Sequence, residues 1–406
     1  MATIIPVNVQ SEDSSKPQGF SPQTVNAQVG DAVFWHNNDK TTQHQPTPDA
    51  AKPAFWGPPI PGQNSSSQIN LNVAGTISYQ DALQSKLTGT IVVATPVEIG
   101  QKFGGGAAFS PSPVQVPAGT PVTWINADSR PHQPAPKSGP ANAWLAQPVP
   151  PGQKSPPVSQ FSNVGIVEYA DALDPATQGV IQINARLVHQ WTFAEPSGSV
   201  AKDQVGNANG TLSPTATRVA QGPPNHPAAV HIDGSNGSLV NFGTAVGQFG
   251  TNSFSVALWF KTVETYRYFD IVGNRTAGSH GVFFCIRMTG RHETAPPGRI
   301  TVEVDQNGQN YIPVDSTKWG LNDGQWHHVV AVRDGVSLKL YIDGALSASA
   351  TGSGVANIAN GNPFILGRSL VGVHDKFAPN ADYADMRVYY GGMTADQVLL
   401  LYQNKI

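Results

Sequence analysis

Charge is what this chain has least of. Only 13% of its 406 residues are Asp, Glu, Lys or Arg, about half of the roughly 25% usual in soluble domains. The 24 basic and 27 acidic residues leave a net charge of −3. A protein that binds nucleic acid by neutralising phosphates needs a basic excess, so that class is excluded. No apolar run approaches the roughly 18–20 residues of a membrane span. Cys285 is the only cysteine, so no intrachain disulfide can form and the fold must rest on its cores. Methionine is absent between Met1 and Met288. The start, Met1-Ala2-Thr3-Ile4-Ile5-Pro6, has neither the basic nor the apolar region of a secretory leader; either the chain is leaderless or a leader has been removed. Disorder driven by charge is excluded as well, because 39% of the residues are hydrophobic.

What the chain has instead is turn formers and a repeat. Its 41 Gly and 34 Pro favour short strands and turns over long helices, and the length implies two or three domains. Phe20-Ser21-Pro22, Val25, Gly30, Val33, Trp35, Asn37 and Asp39 return as Phe109-Ser110-Pro111, Val114, Gly119, Val122, Trp124, Asn126 and Asp128, at a constant offset of 89. Pro61-Gly62-Gln63, Gly75, Tyr79, Asp81-Ala82-Leu83 and Gly89 return as Pro151-Gly152-Gln153, Gly165, Tyr169, Asp171-Ala172-Leu173 and Gly179, at an offset of 90. Residues 1–95 and 96–186 therefore read as two copies of one domain, with Gly104-Gly105-Gly106 expected as the flexible joint. Within each copy, short alternating segments such as Val122-Thr123-Trp124-Ile125 lie between turn residues, the pattern of a small β-sandwich.

The stretch Val122-Thr123-Trp124-Ile125-Asn126-Ala127-Asp128-Ser129-Arg130-Pro131-His132 resembles the cupredoxin strand and loop that carry the first copper-binding histidine. Gly75-Thr76-Ile77-Ser78-Tyr79, running on to Gly89-Thr90-Ile91-Val92-Val93, resembles the last hairpin of that fold. The resemblance implies that the family's cysteine position is Asp81 and Asp171, its second histidine Gln84 and Asp174, and its methionine Leu87 and Thr177. Only the first histidine is kept, as His44 and His132. Blue copper needs a thiolate ligand, and the one cysteine lies beyond both copies, so a type 1 copper site is excluded by composition. The family geometry would place His44 beside Asp81, and His132 beside Asp171 and Asp174. Two readings follow: a harder N/O site for zinc or copper(II), or a His–carboxylate hydrogen bond that plugs a vestigial pocket. His36 reads as a surface residue.

From residue 187 the character changes. Phe254-Ser255-Val256-Ala257-Leu258-Trp259-Phe260, Asp323-Gly324-Gln325-Trp326-His327-His328-Val329, Leu338-Lys339-Leu340-Tyr341-Ile342-Asp343-Gly344, Phe364-Ile365-Leu366-Gly367-Arg368 and Ala384-Asp385-Met386-Arg387-Val388-Tyr389 follow in order. In that order they resemble the laminin-G-like branch of the concanavalin A-like jelly rolls. Asp343-Gly344 predicts a tight hairpin. Thr394-Ala395-Asp396-Gln397 predicts a capping box opening a short C-terminal helix, with Val398, Leu401 and Tyr402 as its apolar stripe. Adjacent strand residues point to opposite faces, so His327 and His328 cannot chelate one ion together and read as structural.

The fold class expected is all-β: two small cupredoxin-like Greek-key sandwiches (1–95 and 96–186), then a larger jelly roll (187–406). Glu303-Val304-Asp305-Gln306-Asn307 approaches the superfamily's alternating carboxylate motif but ends in Asn, so no glycosidase activity is expected. The jelly-roll resemblance implies a structural calcium held by Asp203, Asn207 and Asp385; calcium takes six to eight oxygen ligands, and the alternative is a plain hydrogen-bonded turn at Asp203. Tyr266-Arg267-Tyr268 and Arg291-His292 are aromatic and basic segments suited to ligand contact. Non-catalytic recognition of a glycan or protein surface is the function expected, with the repeats as spacer and assembly modules. The alternative is a structural subunit of a homo-oligomer, particle or surface layer. The fold type favours an extracellular or surface setting.

Overall fold

The computed structural model describes residues 2–12, 18–48, 57–101, 105–138, 140, 142–161, 163–235, 237–265, 268–275, 279–290, 296–368 and 379–406. They form two compact units, Met1–Asn184 and Ala185–Ile406.

Each copy of the repeat in the first unit is a pair of facing sheets. In the first copy Gly19–Ser21, Ile4–Gln10, Ala32–Asn37 and Ile69–Asn70 form one sheet, with Ile4–Gln10 parallel to Ala32–Asn37. The opposing sheet contains Thr24–Gln28, Thr88–Gln101, Gly75–Asp81 and Pro46–Pro48. The second copy repeats this layout with Val114–Pro117, Gln178–Asn184, Gly165–Asp171 and Pro134–Pro136 opposite Val122–Asn126 and Ala107–Ser110. The glycine stretch is not the joint between copies. One continuous strand, Thr88–Gln101, pairs with the first copy through Thr90 to Ala94 and with the second from Thr95 onward. Gly105 and Gly106 instead fall in the turn between this strand and Ala107–Ser110.

The duplicated sequence packs a duplicated core. Trp35 is buried edge-on to Tyr79 at 5.5 Å and 74°, and Trp124 to Tyr169 at 5.7 Å and 69°. Phe20 and Phe109 lie against the same tyrosines. Each tyrosine ring is seated on a glycine: a Cβ on Gly89 would fall 2.4 Å from Tyr79, and one on Gly179 2.3 Å from Tyr169. These two glycines are needed for close approach, not for an unusual φ. In the second copy Trp144 stacks on Trp124 at 5.4 Å.

The second unit is an antiparallel two-sheet jelly roll. The helix-bearing sheet runs Thr217–Val219, Ala229–Asp233, Asn380–Tyr390, Phe254–Thr262, His327–Asp334, Ser337–Ile342, Ala345–Thr351, and Arg186–Trp191 also pairs with Asn380–Tyr390. The second sheet runs Val200–Ala201, Gly210–Leu212, Val240–Asn241, Ile365–Leu366, Phe269–Gly273, Val282–Met288, Ile300–Gln306, Gln309–Asp315. Period-2 alternation sends Val256, Leu258, Phe260, Phe284, Ile286, Val302 and Val304 into one shared core. Arg333 is 1% exposed, and among the described residues no carboxylate pairs with it. Its guanidinium donates to the carbonyls of Gly250, Asn252 and Ala356 and lies 4.9 Å over the Phe254 ring, and burial pulls its pKa down to about 10.

The expected punctuation is present. Asp343 and Gly344 take φ of 52° and 81° and join paired Ile342 and Ala345 in a two-residue turn. Helix Ala395–Tyr402 opens on Thr394, which caps the Gln397 amide while the Gln397 side chain returns to the Thr394 amide. It buries Val398 and Leu401 on Ala257, Val330 and Val332, the outer face of the helix-bearing sheet.

Replacing Gly179 by Ala should destabilise the first unit by about 2 kcal/mol, because the added methyl must displace a tyrosine ring wedged on a tryptophan. Urea unfolding followed by tryptophan fluorescence measures this, and Gly89→Ala should behave alike.

Candidate functional site

The two retained histidines are each clamped between two aspartates. His44 and Asp81 are both fully buried; Nδ1 of His44 meets Asp81 and Nε2 lies 2.8 Å from Asp39. His132 repeats this, with Nδ1 2.5 Å from Asp171 and Nε2 2.9 Å from Asp128. Local sequence builds both clamps. Asn37 accepts the Asp39 amide and donates to the carbonyls of Thr42 and Ile60; Asn126 does the same for Asp128, Arg130 and Val149. Asp81 and Asp171 accept the amides of Gln45 and Leu83, and of Gln133 and Leu173. Asp174, expected beside His132, instead accepts the Thr177 hydroxyl at 3.0 Å within its own turn. Asp128 takes that place. The signal for Asp39 and Asp128 was their recurrence at one offset. His36, read as a surface residue, is half-buried and bonds Ser65.

In both clamps each ring nitrogen faces a carboxylate oxygen at hydrogen-bond distance, so neither nitrogen is turned to open space for a metal. Burial disfavours the His44 cation, but the hydrogen bonds and charges of Asp81 and Asp39 outweigh it and raise its pKa. Burial likewise opposes ionisation of Asp39 and Asp81, and their donors outweigh it and lower both. The His132 hydrogen bond, with the Ser129 amide, holds Asp128 down at about 2. Among the described residues no group of three or more His, Cys, Asp or Glu is arranged to hold a metal.

Asp203 sits in a comparable cage. One oxygen accepts the amides of Gln190, Val205 and Gly206; the other accepts His189 Nδ1 at 2.6 Å and the Ala208 amide. Burial alone would raise its pKa, but these donors bring it to about 2. Asp385 accepts the Gln190 side chain at 2.7 Å and Arg387 Nε at 2.9 Å, and Asn207 is exposed. Gln190 thus bridges Asp203 and Asp385. Each Asp203 oxygen already faces two or three N–H groups, so a calcium ion there would compete with the turn's own hydrogen bonds.

A third cluster lies on the outer face of the second sheet. Because Phe284, Ile286, Val302 and Val304 point into the core, Phe283, Cys285, Arg287, Glu303 and Asp305 point the other way. Glu303 is 2% exposed and is the hub. Its Oε1 accepts Arg287 at 2.6 Å and the Tyr311 hydroxyl at 2.7 Å; its Oε2 accepts Arg275 at 3.2 Å, with Cys285 Sγ at 3.6 Å. Arg287 lies over the Tyr268 ring at 4.8 Å. Asp305 accepts the Gly281 and Gly308 amides and His280, whose ring meets Tyr311 edge-on. Burial pushes the Cys285 thiol up, and Tyr311 rises for the same reason. Tyr268, Arg287, Glu303, Tyr311 and His280 form a continuous band of aromatic and hydrogen-bonding groups.

Tyr268 was legible in the sequence; Tyr266, Arg267, Arg291 and His292 lie outside the described residues. Glu303 and Asp305 stand out in the sequence only as an incomplete carboxylate motif; their partners Arg275, Arg287 and Tyr311 do not, because they become neighbours only through strand register. His327 and His328 do diverge: His327 bonds Asp343 and Asp323, while His328 is buried against Trp259 and Tyr402, where burial lowers its pKa to about 3.

This is the architecture of a concanavalin A-like jelly roll. Residues 233–399 match the laminin-G family model of the concanavalin A-like lectin/glucanases superfamily. Comparison with curated proteins found no match. Solved structures resemble 54% of the chain: domain 4 of AbnA, an arabinanase of Geobacillus stearothermophilus in complex with arabinotriose, at 21% identity over all of that chain, TM-score 0.42. The binding domain of Paraclostridial Mosquitocidal Protein 1 matches at 16% identity over 52% of its length, TM-score 0.42. The binding domain of botulinum neurotoxin serotype D matches at 12% over 51%, TM-score 0.40. The chain thus spans about half the length of the toxin domains it matches. No described helix is long and apolar enough to cross a membrane.

Two measurements follow. The His44 contribution to stability is complete below its unfolded pKa of 6.5 and is lost as pH rises through its raised folded value; those of Asp39 and Asp81 are complete above 3.8 and lost as pH falls through their lowered values. The clamp is therefore strongest between these limits. His44→Ala, which leaves two carboxylates without their cation, should cost about 3–5 kcal/mol there and flatten the dependence of unfolding free energy on pH. Calcium at millimolar concentration should leave the melting temperature of the full chain unchanged; a rise abolished by Asp203→Ala would show that the ion displaces the turn's own donors.

Proposed function

We propose that the jelly-roll unit is a non-catalytic glycan-recognition module that binds through the Glu303 face of its second sheet, with the two repeats as a spacer. The observation carrying this reading is the band Tyr268–Arg287–Glu303–Tyr311–His280, in which Arg287, Glu303 and Tyr311 lie on neighbouring strands and Tyr268 and His280 just precede strands. Sugar rings present C–H faces that pack on aromatic rings, and hydroxyls that pair with guanidinium and carboxylate groups. Tyr311 and His280 are exposed enough to meet such a ligand, with Tyr311 37% accessible and the His280 side chain 57%. Behind them the two arginines and Glu303 supply rigid, preoriented polar atoms, which limits the entropy lost on binding.

The same geometry supports the non-catalytic half of the proposal. A retaining glycosidase needs one carboxyl group to protonate the leaving oxygen and a second as nucleophile. Glu303 faces two guanidinium groups and a phenol, and Asp305 faces two amides and an imidazole. Both carboxylates thus spend most of their acceptor capacity on protein donors, which leaves neither placed as a proton donor or nucleophile.

A glycan array probed with the full chain should reveal a bound saccharide, and Tyr311→Ala should weaken it about tenfold or more, the loss expected from an aromatic contact and a hydrogen bond together. Absence of any array signal, combined with a large homo-assembly by light scattering, would overturn this reading in favour of the structural-subunit role.

A further inference from the structure

The helix-bearing sheet carries a second polar row on its outer face, unrelated to the Glu303 band. Its core takes Val230 and Ile232, Ala381 and Tyr383, and Phe260, so His231, Asp382 and Lys261 point outward from three adjacent strands. They are direct cross-strand partners: His231 opposite Asp382, and Asp382 opposite Lys261. Asp382 accepts His231 Nδ1 on one oxygen at 2.7 Å and Lys261 Nζ on the other at 3.0 Å. Lys261 also lies 5.2 Å over the Trp326 ring. These three side chains, with Thr262, Val263 and Asn380, line a cleft of about 150 Å³.

We propose that this cleft is an independent binding site for a single ring of a neutral saccharide. The hydrogen-bonding capacity left over defines the ligand. Each Asp382 oxygen has accepted one bond and can accept another, Lys261 retains two N–H donors, and His231 retains Nε2. Acceptor and donor thus stand side by side at Asp382 and Lys261, as needed by adjacent hydroxyls of which one donates a hydrogen bond and the other accepts one. The charges of Lys261 and Asp382 cancel, so no net field draws in an anion or a cation. Val263, 68% exposed, gives the rim an apolar surface for the C–H face of a ring. The volume is below the roughly 300–1,000 Å³ of sites for larger ligands, which limits the occupant to one ring. The row is rigid because each member sits within a paired strand.

The test isolates this cleft from the Glu303 face. The full chain carrying Tyr268→Ala and Tyr311→Ala, which remove the aromatic contacts of the other face, is examined by saturation-transfer difference NMR. The probes are the methyl glycosides of glucose, galactose, mannose and arabinose at about 10 mM, enough to occupy a site of roughly millimolar affinity. Transfer to at least one glycoside is expected, and adding Lys261→Met or His231→Gln should weaken that binding about tenfold or more, as loss of a charge-assisted hydrogen bond does. Both added substitutions fall on partly exposed side chains, and an unchanged melting curve verifies the fold. No transfer from any glycoside, or transfer that survives both substitutions, overturns the proposal. The effect of Tyr311→Ala reads the Glu303 face and the effect of Lys261→Met or His231→Gln reads this cleft, so failure of one proposal is distinguishable from failure of the other.

Discussion

A carboxylate removed from water must regain its hydrogen bonds inside the protein, or ionisation becomes prohibitive. In a chain so poor in charge, that constraint organises both units. Asp203 collects five N–H donors, Glu303 two guanidinium groups and a phenol, and Asp81 and Asp171 an imidazole and two amides each. Every one of these acids ties together segments distant in sequence. Asp81 joins the loop of His44 to the last hairpin of its copy; Asp203, through Gln190, is linked to Asp385. Arg333 obeys the converse rule: lacking an acid, its cation is dissolved in backbone carbonyls.

The clamps close off the histidine of each repeat. An imidazole flanked by two carboxylates is a closed hydrogen-bonded unit, and its cation is worth most when both acids are ionised. Duplication preserved that unit down to the asparagine that positions the acid, and preserved the glycine beneath each tyrosine. Sharing the strand Thr88–Gln101 makes the two copies mechanically continuous, since the backbone that completes one sheet begins the next.

The jelly roll uses the two outer faces of its sheets differently. One is partly covered by the C-terminal helix, whose apolar stripe closes over Ala257, Val330 and Val332. The remainder of that face, and the outer face of the other sheet, hold polar groups set in cross-strand rows. Antiparallel register converts a scattered set of residues into such rows, because residues opposite one another lie about 5 Å apart whatever their sequence separation. Asp382 and His231 are register neighbours in this sense, as are Cys285 and Glu303.

Much of this was decided locally and is therefore readable in the sequence. The all-β class, the duplication, the Asp343-Gly344 turn, the Thr394 capping box and the opposite orientations of His327 and His328 depend on residues within a few positions, or on patterns that recur. The proximity of His44 to Asp81 was legible through a family resemblance, and Asp39 and Asp128 through repetition, although their role was not. What the tertiary structure alone decided is which side chains satisfy which. Asp174 and Asp171 are both plausible partners of His132 in the sequence, and only the path of the turn gives one to Thr177 and the other to the histidine. Glu303 is legible only as part of an incomplete carboxylate motif, and Arg275, Arg287 and Tyr311 carry no motif. They meet because strand register, a property of the whole sheet, sets them on one face, and because a buried carboxylate must be surrounded by whatever donors that face supplies.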